Sequence, residues 1–225
     1  SEMIGAKYST KIITDNLELK RYYFSVYNKE STLIEYGGDH VSSKHKIEGY
    51  SNKELDITEK GYAFKVARIV PENNIDLILQ AFSKLDLKLV LIGNWKFSEY
   101  GVKLKQKFYN VSNLILLDPI YDQIKLDKLR SNCKFYIHGH TVGGTNPSLV
   151  EAMYLGLTCI VYDVSYNRIT TSNSAIYFKT EKELIGVIKK YNNLPQEELN
   201  VFSEKLLSIA KEKYNWKTIV AKYKK

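Results

Sequence analysis

Short apolar runs alternate along the sequence with longer segments in which apolar residues recur every three or four positions. The run 88–92 is typical of a buried strand, whereas Ile75, Ile78 and Phe82 fall on one face of a helix over 73–85. Strands that are apolar throughout are covered on both faces, so the alternation predicts a doubly wound α/β fold with a parallel sheet, from about residue 60 onward. The predicted strands are 11–14, 31–36, 62–67, 88–92, 114–117, 134–137, 158–162 and 175–178, and the predicted helices are 17–28, 73–85, 98–109, 121–130, 146–154, 181–191 and 195–223.

The alternation stops between residues 37 and 60. Gly37, Gly38, Ser42 and Ser43 stand there in a mixed polar run, which is typical of a loop or hinge. The residues before this segment form one strand–helix–strand unit, and the regular alternation begins after it. We therefore expect a domain boundary in this part of the chain.

Length and composition exclude several classes of protein. With 225 residues, 44% of them hydrophobic, the chain can build a core without disulfides and is too apolar to be disordered. We expect neither a signal sequence nor a membrane span, because no apolar run approaches the roughly 18 residues of a span. Cys133 and Cys159 each stand beside an apolar run, which predicts buried free thiols and a cytoplasmic protein. The two cysteines and four histidines show no ligand spacing, which excludes a zinc site.

The net charge of +8 is carried by lysine, since the sequence contains only four arginines. Arginine is the usual side chain for bidentate contacts to phosphates and bases, so this composition disfavours binding to nucleic acid. Residues 211–225 hold six lysines against one glutamate. This stretch is either a solvated helix face or a surface that contacts anionic lipid.

Polar residues and glycines follow the predicted strands at their carboxyl ends, where ligands bind in an open parallel sheet. Gly143 and Gly144 let backbone amides approach a ligand closely. Asn146 then caps a helix that begins at Pro147. The free N–H groups and the positive dipole end of that helix favour an anion. This run therefore predicts an anion-binding site.

Two charged residues extend the anion site. Arg68 follows a neighbouring strand and could close on the same anion, and Glu151 could accept two hydrogen bonds from the hydroxyls of a ribose. No D-x-D pair stands at a strand end to chelate a metal. Together these features predict a site for a nucleoside diphosphate that is held without a metal.

Each of these residues also has a purely structural interpretation. The two glycines could form only a tight turn, and Arg68 could pair with a surface carboxylate such as Glu72. His138 and His140 could be loop residues whose hydrogen bonds are satisfied, and Glu151 could be an ordinary helix carboxylate. The functional interpretation depends on all of them meeting at one edge of the sheet.

The segment Asn146 to Asp163, NPSLVEAMYLGLTCIVYD, resembles the donor-site helix and following strand of family 4 glycosyltransferases. The segment Arg68 to Phe82 is similar to the first loop and helix of the C-terminal domain in that family, and YGGD over 36–39 resembles the passage from its N-terminal domain. The resemblance implies the GT-B fold of two Rossmann-like domains, retention of anomeric configuration and no metal. It also implies a nucleoside-diphosphate sugar as donor substrate and a glycan or lipid-linked acceptor.

By this resemblance, residues 1–45 are the last strand–helix–strand of an acceptor-side domain with its hinge. Residues 46–225 are then the donor-binding domain, whose final helix crosses back. Most of the acceptor-side domain would be absent from this chain, which alone would be inactive. The resemblance assigns catalytic roles to Arg68 and Glu151, and donor binding to Asn73, His140, Gly143, Gly144, Thr145 and Asn146.

The sequence departs from the family at two positions. Gly143 stands where the family has the first of two glutamates, and Asn73 stands where it has a lysine that helps to hold the diphosphate. The sequence HGHTVGGTNP over 138–147 is similar to the corresponding segment of a rhamnosyltransferase-like branch of the family. A donor such as dTDP-rhamnose is therefore the first expectation.

Three functions are compatible with the sequence. The first is the donor-binding part of a retaining, metal-independent hexosyltransferase that builds a surface polysaccharide. The second is a nucleotide-sugar epimerase of the same architecture, which would need no acceptor. The third is a basic module that binds nucleic acid or anionic membrane, although the low arginine content disfavours nucleic acid. The first function predicts a cytoplasmic protein that can touch the inner face of the cell membrane through its lysine-rich C-terminal helix.

Overall fold

The computed structural model describes residues 2–42, 47 and 49–224, and it begins with a small unit outside the main sheet. This unit contains helix α1 (Glu2–Tyr8), strand β1 (Ile13–Thr14), helix α2 (Leu17–Tyr27) and strand β2 (Thr32–Leu33). Strands β1 and β2 pair with each other in parallel. Helix α2 begins after Asn16, whose side chain accepts a hydrogen bond from a backbone N–H in the first turn. The predicted strand–helix–strand is confirmed with shorter strands, and α1 is an element that the sequence pattern did not predict.

The segment predicted as a loop or hinge contains a small antiparallel pair of strands, β3 (Ser51–Asn52) and β4 (Ile57–Thr58). Asp56, just before β4, has a φ of 48°, the left-handed conformation that tight turns require. Two residues per strand are too few to show the alternation on which a strand prediction depends. The predicted domain boundary between residues 45 and 46 lies outside the described residues.

From residue 62 onward strands and helices alternate. The strands are β5 (Tyr62–Val66), β6 (Lys88–Ile92), β7 (Leu114–Leu117), β8 (Phe135–His138), β9 (Thr158–Tyr162) and β10 (Ile176–Phe178). The helices are α3 (Ile75–Phe82), α4 (Glu99–Lys107), α5 (Gln123–Ser131), α6 (Pro147–Tyr154), α7 (Ser165–Thr170), α8 (Glu181–Asn192), α9 (Gln196–Lys213) and α10 (Trp216–Tyr223). The six strands are parallel and adjoin in the order β7, β6, β5, β8, β9, β10. The predicted doubly wound α/β fold is confirmed.

Alternate positions of the strands fill one apolar layer on each face of the sheet. Ala63 and Ile137 pack with helices α3 and α8 on one face, and Phe64 packs with α6 and α9 on the other. Full burial of an apolar side chain contributes about 1.5–3 kcal/mol, so both layers stabilise the sheet strongly. Cys133 and Cys159 are buried and free in these layers, as predicted.

The prediction of a single closing helix over 195–223 is wrong, because the structure has two helices there, α9 and α10. Asn215 begins α10, since its side chain accepts a hydrogen bond from a backbone N–H in the first turn. The buried Tyr214 stands between the helices and donates its hydroxyl to the backbone oxygen of Thr170 at 2.9 Å. Its own backbone oxygen accepts from the N–H of Gly38 at 2.8 Å. These distant contacts bend the chain, and the apolar pattern of 195–223 carries no sign of them.

Helix α10 packs back against residues 35–40. Lys222 forms an ion pair with Glu35 at 2.6 Å, and the backbone N–H of Trp216 donates to Asp39 at 2.9 Å. Helix α7 was not predicted, because a helix of six residues shows too little periodicity. Within the described part of the chain, no helix has both the length and the apolar character needed to cross a membrane.

Substituting the cap of α10 should loosen the contact between the two ends of the chain. Asn215→Ala should lower the free energy of unfolding by about 1 kcal/mol, the typical value for a lost N-cap. Urea denaturation measures this change. The matched control is Asn110→Ala, at an exposed asparagine whose side chain bonds to no described residue, and it should stay within about 0.5 kcal/mol. Equal effects of the two substitutions would contradict the role of Asn215.

Candidate functional site

Strands β5 and β8 lie side by side at the centre of the sheet. The chain continues from β5 toward one edge of the sheet and from β8 toward the other edge. It crosses from β5 through α3 to β6, and from β8 through α6 to β9. The two helices cover opposite faces of the sheet, so a crevice opens at the carboxyl ends of the two strands. A cavity of about 430 Å³ lies there. Its lining includes the predicted site residues Arg68, Asn73, His140, Asn146 and Glu151, together with Lys65, Arg130 and His138.

The loop after β5 carries Arg68 at the mouth of the cavity. Its guanidinium is exposed and pairs with no carboxylate of the described residues, so the pair with Glu72 that the structural interpretation required is not formed. Asn73 is buried and donates its Nδ2 to the backbone oxygen of Arg68 at 2.8 Å, and its Oδ1 accepts from Nδ1 of His140 at 2.9 Å. Asn73 therefore joins the loops after β5 and β8 and holds Arg68 and His140 in place.

The glycine-rich loop after β8 contacts the small N-terminal unit. Gly143 has a φ of 103°, which a side chain would strain, and a Cβ on Gly144 would collide with the carboxylate of Asp15. The N–H of Thr145 donates to Oδ1 of Asp15 at 3.3 Å, and its hydroxyl donates to the backbone oxygen of Asp15 at 2.6 Å. These three loop residues line a second cavity of about 490 Å³, together with Arg68, His140 and Asn146. The amide of Thr145, expected to face an anion, is bonded to Asp15 instead.

The start of α6 is formed as the sequence predicted. Asn146 caps the helix, since its Oδ1 accepts from the backbone N–H of Ser148 at 3.0 Å, and Pro147 occupies the first helical position. Glu151 follows just over one turn later and lines the first cavity. The helix therefore presents its amino end and one carboxylate to the same space.

Glu151 is held by two basic side chains from distant parts of the sequence. Arg130 donates to its Oε2, and Nε2 of His40 lies 3.1 Å from its Oε1. The indole N–H of Trp216 can only donate, so Nδ1 of His40 accepts from it at 3.3 Å and the Nε2–H of His40 donates to Glu151. These contacts fix the position of the Glu151 carboxylate in the cavity wall.

Arg130 is fully buried, which is costly for a charged side chain unless opposite charges surround it. Its guanidinium also donates to Oδ1 of Asp127 at 2.7 Å. Burial lowers the pKa of Arg130, but the two carboxylates, Glu151 and Asp127, outweigh burial and raise it above its ordinary value. The guanidinium therefore stays charged and acts as the internal counterion of the site.

Four residues of the site were missed in the sequence: Lys65, Arg130, His40 and Asp15. Lys65 interrupts an apolar strand, and this interruption is a local signal that could have identified it. The other three reach the site through long-range contacts that no local pattern reveals. In the part of the chain that the structure describes, no cluster of three or more His, Cys, Asp or Glu side chains could hold a metal ion.

Removing the buried guanidinium should destabilise the protein strongly. Arg130→Met leaves Asp127 buried without its cationic partner, so the free energy of unfolding should fall by about 3–5 kcal/mol in urea denaturation. Arg168→Met is the matched control, because the Arg168–Asp163 ion pair is partly exposed and should contribute about 0–1 kcal/mol. Similar losses in the two variants would show that Arg130 is not the counterion of the site.

Comparison with solved structures supports the fold described above. Anabaena Alr3699/HepE in complex with UDP superposes with a TM-score of 0.78 at 12% identity, over 98% of this chain and 64% of that one. Sucrose-phosphate synthase from Thermosynechococcus elongatus gives a TM-score of 0.80 at 14% identity, over 99% and 58%. The pneumococcal O-GlcNAc transferase GtfA, in complex with UDP and GlcNAc, gives 0.72 at 17% identity, over 99% and 46%. This chain therefore spans less than two thirds of each of these proteins.

Sequence comparison identifies the family. No curated protein sequence matches the chain at a significant level. The family model described as glycosyl transferases group 1 matches residues 47–205, which include strands β5 to β10 and every predicted site residue. Because this match covers well over half of the sequence and lies on the sheet that forms the crevice, the chain belongs to the glycosyl transferases group 1 family.

Proposed function

We propose that this chain is the donor-binding part of a retaining glycosyltransferase that moves a hexosyl or deoxyhexosyl unit from a nucleoside-diphosphate sugar to a surface glycan. The observation that carries the proposal is the cavity at the centre of the sheet, which combines a free arginine, a helix amino end and a fixed carboxylate. The group 1 family match favours sugar transfer over the epimerase alternative. The solved structures of Alr3699/HepE and GtfA, which share the fold, are of complexes with UDP or UDP-glucose.

The diphosphate would lie between Arg68 and the start of α6. Arg68 has no carboxylate partner among the residues described, so its charge is available to a ligand. Negative charge grows on the diphosphate as the glycosidic bond breaks, and fixed donors at that point stabilise the transition state more than the ground state. No metal is needed in this scheme, because the arginine and the helix amides supply the positive charge.

The ribose of the nucleotide would be bound by Glu151. A carboxylate offers about four lone-pair sites, and Arg130 and His40 occupy one on each oxygen. The remaining sites can accept two hydroxyl hydrogen bonds. Because Arg130 and His40 already hold the carboxylate in place, binding would require little reorganisation of the side chain.

The transferred sugar would lie toward the second cavity, near the glycine-rich loop. Gly143 supplies no carboxylate there, so other groups of the cleft would recognise the hydroxyls of the sugar. The resemblance of 138–147 to a rhamnosyltransferase-like branch of family 4 supports dTDP-rhamnose as the first donor to test. His140 would contact the sugar or the diphosphate from the same loop, and its pKa is lowered by burial and by Lys65 and Arg68, which favours the neutral form.

Residues 1–45 would belong to the acceptor-side domain, and residues 46–225 would form the donor-binding domain. The lysine-rich end of the chain would contact anionic lipid at the inner face of the membrane. Lys222 is paired with Glu35, but Lys211 and Lys217 are exposed. A surface of this kind would bring the enzyme to a lipid-linked acceptor.

Nucleotide binding without a metal tests the function directly. Thermal denaturation with UDP, dTDP, GDP and ADP, each at millimolar concentration, should show stabilisation by at least one nucleotide. A chelator should leave the shift unchanged. The 225-residue chain alone should transfer no sugar, since one side of a cleft cannot orient both substrates. No shift with any nucleotide, or a shift abolished by the chelator, would contradict the proposal.

Substituting the free arginine should weaken the complex without harming the fold. Arg68→Ala should lower the affinity for the nucleoside diphosphate about 10-fold or more, because a charged hydrogen bond is lost. Turnover of an enzyme with its acceptor domain should fall by about 10²-fold. The control is Arg21→Ala, at an exposed arginine on α2 that lines neither cavity. The Nη1 atom of Arg21 lies 3.6 Å from Oε2 of Glu18. Affinity and turnover within a few-fold of the wild type would show that Arg68 does not touch the phosphates.

A further inference from the structure

Lys65 is the fourth of the five residues of the central strand β5, and only 1% of its surface is exposed. Lysine is almost never fully buried unless an opposite charge pairs with it. Across the described residues, no carboxylate and no hydrogen-bond acceptor pairs with its ammonium group, and burial alone shifts its pKa. An unpaired buried ammonium destabilises the fold, so its presence requires another explanation.

The side chain of Lys65 lines the same cavity as Arg68 and Glu151. His138, from the adjacent strand β8, lines it as well, and its Nε2 is buried without a hydrogen-bond partner. Strand β8 pairs with β5, and the positive charge of Lys65 contributes to lowering the pKa of His138. Two unsatisfied polar side chains therefore meet at one cavity, between two neighbouring strands.

The carboxylates around the cavity cannot serve as the missing partner. Glu151 is bonded to Arg130 and His40, and Glu72 lies in the exposed loop at the mouth of the second cavity. The remaining charged or titratable groups that face Lys65 are Arg68, Arg130, His138 and His140, which are basic. An excess of basic groups in an enclosed space favours an anionic ligand.

We propose that Lys65, which lines the cavity together with His138, binds the diphosphate of the nucleotide donor and supplies the second cation of the site. This inference rests on the function proposed above. Asn73 stands where family 4 glycosyltransferases have a lysine, and both ends of its side chain are bonded within the protein. Lys65 reaches the cavity from the strand instead of from the loop, so the diphosphate lies between Arg68 on one side and Lys65 on the other.

This arrangement makes binding depend on pH in a defined direction. Burial lowers the pKa of Lys65 to about 7 in the free protein, and a bound anion would raise it again. Binding is then linked to proton uptake, and affinity falls as the pH rises through 7. His138 and His140 have pKa values lowered from 6.5, so their uptake belongs to a more acidic range.

Isothermal titration of the 225-residue chain with UDP and with inorganic pyrophosphate tests the proposal. Titrations at about pH 8, in two buffers of different ionisation enthalpy, report the protons taken up on binding. Lys65→Met should weaken binding of both probes about 10-fold or more and abolish the proton uptake. It should also keep or raise the melting temperature, because it removes a buried polar group that has no partner. Lys134→Met, at a lysine whose ammonium bonds to Asn192 at the opposite end of β8, should change neither affinity nor proton uptake.

The outcomes separate this proposal from the function on which it rests. Wild-type protein that binds neither UDP nor pyrophosphate overturns both. Wild-type protein that binds UDP, with Lys65→Met binding it equally and with the same proton uptake, overturns the role of Lys65 alone. Lys65→Gln, which keeps a polar end, is measured in parallel and should show the same loss. If both variants fail to fold, Lys65 is structural and the proposal is overturned.

Discussion

The reversal of strand order between β5 and β8 is the constraint on which the site depends. Parallel strands require crossover helices, and these two strands send their crossovers to opposite faces of the sheet. Neither helix can cover the carboxyl ends of both strands, so a crevice remains between them. The loop after β5 and the loop after β8 must then face each other, and the bridge through Asn73 joins them.

Two fully buried basic side chains line this crevice, and they differ in their partners. Arg130 lies between two carboxylates and is the internal counterion of Glu151. Lys65 has no acidic partner among the residues described, although it lines the same cavity. A paired buried charge is compatible with a structural role, whereas an unpaired one at a cavity is poised for a ligand. Arg130 therefore fixes the structure of the site, whereas Lys65 is available to a bound ligand.

The fold could be predicted to a large extent because its information is local. Six buried strands and the amphipathic helices between them show their periodicity in the sequence, and the capped start at Asn146 is a short-range signal. The break at Asn215 and helix α7 were missed, because the first depends on distant contacts and the second is too short. In the site, Arg68 and Glu151 were found through their positions after strands. Arg130 and His40 were not, since their partner Glu151 lies 21 and 111 residues away in the chain.

Residues of the first forty positions contact the site at the glycine-rich loop and at the cavity wall. Asp15 bonds to Thr145 in the glycine-rich loop, and His40 bonds to Glu151 in the cavity wall. Burial raises the pKa of Asp15 while its hydrogen bond to the backbone of Thr145 lowers it, so the carboxylate is best satisfied when that contact is made. A movement of the N-terminal unit away from the glycine-rich loop would therefore release the amide of Thr145, which would then be a free donor beside the proposed diphosphate.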